Sequence, residues 1–361
     1  MARRKRKRHG KPIAVDLFAG CGALSSGLAR AGFRVAAAVE IDPKRSRTFS
    51  LNHTETKLFV CDIRDVEGRY ILGATGTDRE EIDLVAGCPP CQGFSRIRRR
   101  NGRKAVDDDR NDLVFEFGRL VREMRPRAVM MENVPGLEKD RRFKALLRSL
   151  RGAGYRIAWD ILSLEQFGVP QRRRRLVMIG WRGGSRPDLD QIPTSRLRTV
   201  RDAIQELPVI PKAARALHGY KTFRKAIIRD RIKRVPHNGG SRRHLPESLR
   251  LECHKRETKN KGEAEGFKDV YGRMAWDSVA PTITGGCINP SKGRFLHPER
   301  DRAISLLEAA RLQGFPIWYK FDISDGRYPI AEMIGEALPP RFAATAARFV
   351  ARSLGTLESC K

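Results

Sequence analysis

Short apolar runs recur at residues 13–18, 35–41, 82–86, 128–131, 157–162 and 176–179. Each has the length of a buried strand and is too short for a helix that is apolar all round. Between them the spacing changes. Leu113, Phe117, Leu120, Val121 and Met124 step by three and four residues, and Pro126 closes that segment. Phe143, Leu146, Leu147 and Leu150 repeat the pattern ahead of Gly152 and Gly154. Strands alternating with helices predict a parallel, doubly wound α/β sheet. From about 184 to 272 the pattern fails and turn residues, prolines and charges dominate, which predicts a small, loop-rich recognition domain. Patterned sequence returns at 303–314 and 332–354, both predicted helical, so the C-terminal part is expected to complete the main domain.

Charge narrows the choice of partner. A chain of 361 residues buries a large core, and this one carries a formal charge of +30. Such an excess implies a polyanion, most simply nucleic acid, against the blander readings of an anionic membrane surface or a basic proteome. The 184–272 segment alone holds 21 Lys and Arg against 11 Asp and Glu. No apolar run approaches the roughly 18 residues of a membrane span. The run Arg3-Arg4-Lys5-Arg6-Lys7-Arg8 looks like the start of a signal peptide, but Asp16 breaks the apolar stretch after it. Residues 1–12 read better as a basic arm lying on phosphates. Seven cysteines, an odd number, do not form a secreted disulfide framework, and a reducing intracellular compartment is expected. Cys88 and Cys91 make a C-x-x-C, which fits a dithiol or half of a zinc site. No second pair exists and Cys253 and His254 are adjacent, so tetrahedral zinc lacks partners and no metal is expected.

Two loops carry chemistry. Pro89-Pro90-Cys91-Gln92-Gly93-Phe94 follows the 82–86 run and sets a cysteine in a rigid, sharply turning loop. That is where an open α/β sheet presents side chains to a ligand, and a cysteine of lowered pKa is a strong nucleophile. Asp16-Leu17-Phe18-Ala19-Gly20-Cys21-Gly22 joins a strand to a helix running to Gly32. Its glycines allow close approach of a ligand, and Glu40, at the end of the second strand, is placed for ribose hydroxyls. The spacing lacks a true G-x-G-x-x-G and a Walker lysine, which favours a cofactor with ribose and no phosphate. S-adenosylmethionine fits, with Asp62 and Ile63 set to meet the adenine. A purely structural glycine turn is the competing reading.

Taken together, DLFAGCG (16–22), EID (40–42), GCPPCQGFS (87–95), ENV (132–134), QRRRR (171–175), EAARLQGFP (308–316) and GEALPP (335–340) resemble, in order, the DNA (cytosine-5) methyltransferases of bacterial restriction-modification type. The likeness runs from about Ile13 to Phe349 except over 184–272. It implies a Rossmann-like methyltransferase domain at 13–183, a target-recognition domain at 184–272 and a return to the catalytic domain over 273–361. It also implies a methyl transfer to C5 of a flipped-out cytosine in double-stranded DNA. Cys91 would add to C6, and Glu132, if protonated in a dry pocket, would serve N3. Val129, Met130 and Met131 make its burial credible, although a glutamate capping a helix is the alternative. Arg173 and Arg175 would position the base, since strand alternation puts both on one side; a solvated basic face is the other reading. The cofactor-binding set implied is Phe18, Gly20, Gly22, Glu40, Ile41, Asp62, Ile63, Pro90, Leu113 and Ala337. The DNA-binding set is Ser95, Arg96, Arg98, Arg99, Arg100, Arg110 and Gln171, six cations from 96 to 104 suiting a loop that grips phosphates.

Three positions depart from the pattern: Glu336 stands where asparagine is usual, Cys88 where glycine is, and Leu307 where arginine is. Glu336 puts cofactor affinity in question. Rival readings are a transfer RNA cytosine-5 methyltransferase, which the long basic segment disfavours, and a catalytically dead DNA-binding relative, which the intact Cys91, Glu132, Arg173 and Arg175 disfavour. The expected setting is a monomer in the bacterial cytoplasm, acting as the partner of a restriction endonuclease or as an orphan enzyme. The bases recognised have no readable code in the sequence.

Overall fold

The computed structural model describes residues 10–90, 109–207, 212–219, 225–251 and 269–356. The chain divides into two compact bodies: Met1–Leu162, Arg174–Pro193 and Ala343–Lys361 in one, Ser163–Arg173 and Thr194–Phe342 in the other.

The first body is built on a sheet of β1 (Ile13–Leu17), β2 (Arg34–Val39), β3 (Lys57–Phe59), β4 (Leu84–Gly87), β5 (Ala128–Asn133), β6 (Tyr155–Ser163) and β7 (Arg174–Arg182). Their spatial order is β3-β2-β1-β4-β5-β7-β6. Every apolar run noted above became a strand, because strands buried on both faces read as near-continuous hydrophobic stretches. The sheet is not wholly parallel, as the alternation had predicted. β1 pairs in parallel with β2 and β4, and β4 with β5, but β7 runs antiparallel to β5. The connection 164–173 is too short for a crossover, which takes a dozen or more residues.

Helices α1 (Ala23–Arg30), α2 (Pro43–Ser50), α3 (Gly68–Thr75), α4 (Leu113–Met124) and α5 (Arg141–Gly152) join these strands. Arg125 ends α4 in the left-handed region at φ 51°, just before the proline expected to stop it. Alternation sorts the two faces of the sheet. Val15, Leu17, Val39, Val85, Val129 and Met131 enter a core with Ile71 of α3, Phe117 and Leu120 of α4 and Leu146 of α5. The other face is lined by small side chains, among them Ala14, Ala38, Ala86 and Ala128, all fully buried.

The second body contains α6 (Val200–Ile204), α7 (Lys212–His218), α8 (Ala226–Arg234), α9 (Leu306–Gln313) and α10 (Arg327–Glu336), with no strand longer than an isolated bridge among the described residues. Its core includes Ile232, Val235, Leu245, Tyr271 and Leu296. Arg273, fully buried, fastens that core. Its guanidinium donates to the carbonyls of Val235 (2.9 Å), Ile232 (2.9 Å), His297 (3.0 Å) and Arg300 (2.7 Å) and pairs with Asp301. Residues 273–342 fall within this compact body. Only α11 (Pro340–Ser353) leads back: Phe349 stacks on Trp181 with centroids 6.0 Å apart, and Arg348 donates to the Arg30 carbonyl at 3.1 Å. The expected helix over 332–354 is thus two helices, divided at Ala337-Leu338-Pro339. No helix among the described residues is long and apolar enough to cross a membrane.

Removing the Arg273 side chain takes a donor from three buried carbonyls, from the more open Arg300 carbonyl and from the exposed Asp301 carboxylate. Arg273→Ala is expected to cost about 1–3 kcal/mol, the scale for leaving buried acceptors without a donor. Urea denaturation checks this, and an unchanged midpoint would show that the clamp contributes nothing.

Candidate active site

The turn after β1 is held by backbone geometry that few residues adopt. Phe18, Gly20 and Gly22 all lie in the left-handed region, at φ 62°, 57° and 89°. For Phe18 this is an uncommon conformation, of the kind kept where a site over-determines it. Glu40 supplies that constraint from the end of β2. Its Oε2 accepts from Gly20 N at 2.7 Å and its Oε1 from Asp42 N at 2.8 Å. Burial raises the Glu40 carboxyl above its ordinary value, and those amides pull it back. Each carboxylate oxygen has a second lone pair, so the group remains able to accept from a hydroxyl. Asp42 then caps α2 by accepting from Lys44 N at 2.8 Å, with Pro43 in the first turn.

Two further anchors had no signal in the sequence. His53 Nε2 donates to the Gly22 carbonyl at 3.0 Å, its ring 4.7 Å from Phe49. Burial pushes the His53 pKa down to about 4, so it stays neutral. Ser25 of α1 donates to Asp16 Oδ2 at 2.6 Å, tying the helix to the strand. Asp16 is fully buried and its Oδ1 has no partner. Burial pushes its pKa up to about 7, against the Ser25 hydrogen bonds.

The loop fits a ligand with ribose hydroxyls and no phosphate. A Cβ on Gly20 would meet open space, and Ile41, beside Glu40, is 59% exposed. Val60, which the motif had not singled out, is 52% exposed. Asp62 lies at the exit of β3 but caps the next turn, accepting from Arg64 N at 2.9 Å. Ile63 faces the core at 4% exposure, whereas Ile41 is open to solvent. Phe18 and Leu113 are half-buried against the same core.

At the ends of β4 and β5 the register sets the second cluster. Leu17 pairs with Gly87 and Gly87 with Met131, so Cys88 and Glu132 follow at one level. Glu132 is 7% exposed, and its Oε1 pairs with Arg175 Nε of β7 at 2.7 Å. Glu132 opposes Val177, which makes Arg175 its diagonal cross-strand neighbour. Asn133 Nδ2 donates to the Pro89 carbonyl at 3.0 Å and fixes the turn where Pro90 begins. Cys91, Ser95, Arg96, Arg98, Arg99 and Arg100 lie outside the described residues; Arg110 is described and exposed.

Arg173 and Gln171 are not where the motif had put them. Arg173, 1% exposed, belongs to the second body and donates to the carbonyls of Ile283 (3.1 Å), Gly335 (3.0 Å) and Glu336 (3.4 Å). β7 begins only at Arg174, so strand alternation does not carry Arg173 to the side of Arg175. Gln171, expected on DNA, is fully buried. Its Nε2 donates to Leu312 O at 3.1 Å and to the Gln313 side chain, while its Oε1 accepts from Ile283 N at 2.9 Å. With its amide used at both ends, it is a structural clasp. Ala337 caps α10 in the same body, and Glu336 is exposed. No group of His, Cys, Asp or Glu among the described residues could hold a metal.

Residues 13–352 match the C-5 cytosine-specific DNA methylase family. The chain is 35% identical over 354 residues to the type II methylase M.HgiDII of Herpetosiphon aurantiacus, covering 95% of this chain and 96% of that one. It is 33% identical over 360 residues to the type II methyltransferase M.XorII of Xanthomonas oryzae, covering 92% and 83%. A crystal structure described as a DNA modification methyltransferase encoded within an E. coli prophage superposes with a TM-score of 0.70 at 25% identity, covering 95% of this chain and 99% of that one. The chain belongs to the C-5 cytosine-specific DNA methylase family, which consists of S-adenosylmethionine-dependent methyltransferases. It is a DNA (cytosine-5-)-methyltransferase of restriction-modification type.

The Asp16 carboxyl gives this site a measurable pH dependence. The folded protein keeps that proton up to about pH 7, whereas the unfolded chain releases it near 3.8. Folding is therefore most favoured by this group below pH 3.8 and loses that contribution as pH rises to 7, by roughly 4 kcal/mol at most. Asp16→Asn should show a flatter decline in urea midpoint between pH 5 and 8 than the parent. Parallel profiles would mean that Asp16 titrates normally.

Proposed function

We propose that this enzyme methylates C5 of a cytosine flipped out of a specific double-stranded DNA sequence, through a covalent bond between Cys91 and C6. The observation that carries the reading is the Glu132–Arg175 pair, buried at the strand end beside the turn that leads to Cys91. Cytosine C5 is too weak a nucleophile to take a methyl group directly. Thiolate addition at C6 turns the ring into an enamine whose C5 is nucleophilic. Negative charge then builds at N3. Glu132 faces that atom and supplies the proton or hydrogen bond, with Arg175 holding the carboxyl in place. Bound S-adenosylmethionine supplies an electrophilic methyl group. Glu40 would accept from its ribose, Ile41 would lie against its adenine, and the Phe18–Gly22 turn would let it approach the backbone. A base then removes the C5 proton and Cys91 leaves.

The cytosine must leave the stack, at a cost of a few kcal/mol. Arg96, Arg98, Arg99 and Arg100 grip phosphates in this reading, and the basic 184–272 segment selects the sequence. Arg173 acts within its own body, by holding the backbone at Gly335 and Glu336. The protein works in the cytoplasm as a monomer, alone or beside an endonuclease for the same site.

Cys91→Ser should lose nearly all turnover, since a hydroxyl is far less ionised than a thiol at pH 7. DNA carrying 5-fluorocytosine should trap the parent protein covalently, and an adduct that survives in Cys91→Ser would refute the assignment. Glu40→Ala should weaken S-adenosylmethionine binding by about 1–3 kcal/mol, the scale for lost hydrogen bonds to a charged group, while DNA affinity without cofactor is kept. Calorimetry reads both, and unchanged cofactor affinity would remove Glu40 from the site.

A further inference from the structure

We propose that Cys88 is a positioning residue for Glu132, its thiol donating to the carboxyl from the side opposite Arg175. The inference rests on the reading of Glu132 as the group that serves N3.

Three adjacent strands converge on this carboxyl. Glu132 ends β5, with β7 on one side bringing Arg175 to its Oε1 at 2.7 Å. On the other side is β4, whose Gly87 is in register with Met131 of β5. The next residues, Cys88 and Glu132, are register neighbours and project from the same face, because parallel partners share their orientation. A 3.3 Å bond from Cys88 N to the Leu17 carbonyl keeps Cys88 in line with the sheet for this extra residue. Asn133 Nδ2 on the Pro89 carbonyl then stops the turn from drawing Cys88 away. This register sets the thiol beside the Glu132 carboxyl, with Asp16 projecting from the same face of β1.

The surroundings decide what this thiol can do. Burial, the Glu132 and Asp16 carboxyls and the hydrogen bond to Glu132 push it well above its ordinary value, and Arg175 offsets only part of that. It stays protonated, so it is no competitor to Cys91 as a nucleophile and serves only as a donor. A carboxyl held by Arg175 alone could swing about that one contact. A second donor on the neighbouring strand limits the swing and fixes the orientation in which the carboxyl meets N3. Glycine at this position would leave that side to water or to nothing.

The test compares Cys88→Ala, Cys88→Ser and Glu132→Gln in the full chain, using methyl transfer from tritiated S-adenosylmethionine. Cys88→Ala should lower kcat about fivefold, the equivalent of one net hydrogen bond, while the KM values for cofactor and DNA stay within about twofold. Cys88→Ser, which keeps a donor, should recover most of the loss. Unchanged kcat in Cys88→Ala, or equal losses in Ala and Ser with raised KM, would overturn the proposal. Loss of turnover in Glu132→Gln combined with full turnover in Cys88→Ala would overturn this inference alone. Full turnover in Glu132→Gln would instead remove the reading beneath it.

Discussion

The site depends on the register of three parallel strands. β1, β4 and β5 end at one level, Leu17 against Gly87 and Gly87 against Met131. All that matters chemically in the first body happens within a few residues of that line: the left-handed turn at Phe18, the proline turn at Pro89 and the Glu132 carboxyl. A slip of one residue in any strand would move its whole side-chain set to the other face. Tight packing guards against that slip. A Cβ at Gly87 would come within 2.7 Å of the Leu17 carbonyl and 3.2 Å of Phe117. Glycine there lets two strands approach under the aromatic ring of α4.

Glu40 illustrates how one buried carboxyl can organise a loop. Its two oxygens hold Gly20 and Asp42, so the carboxylate organises the loop and the start of α2 before any ligand arrives. A site prepared this way spends little on ordering when the ligand binds.

Much of this was legible in the sequence, for identifiable reasons. The strands could be read because burial on both faces leaves few polar residues in them, and α4 and α5 because one face of each meets the core. Glu132 could be named because a short motif carried it. Ser25 and His53 act on partners brought near only by the fold, and no local pattern marks them. The arginine-rich run 171–175 was the opposite case. Its spacing looked like one functional face, yet Arg173 spends its guanidinium on buried carbonyls while Arg175 meets Glu132. An arginine's five donors serve either purpose, and sequence does not say which acceptors will surround it. The end of the recognition segment is hard to read from sequence for a related reason. Helical periodicity in α9 and α10 marks a buried face without saying which core it joins.

The three-piece makeup of the first body bears on how the protein is made. Its sheet is encoded before residue 194, but the helix that covers part of it comes from 343 onward. In α11, Ala343, Ala346, Ala347, Val350 and Ala351 are all buried. At ribosomal rates of about 5–20 residues per second, the intervening segment takes on the order of ten seconds to emerge. Throughout that interval the nascent sheet waits with an uncovered apolar surface.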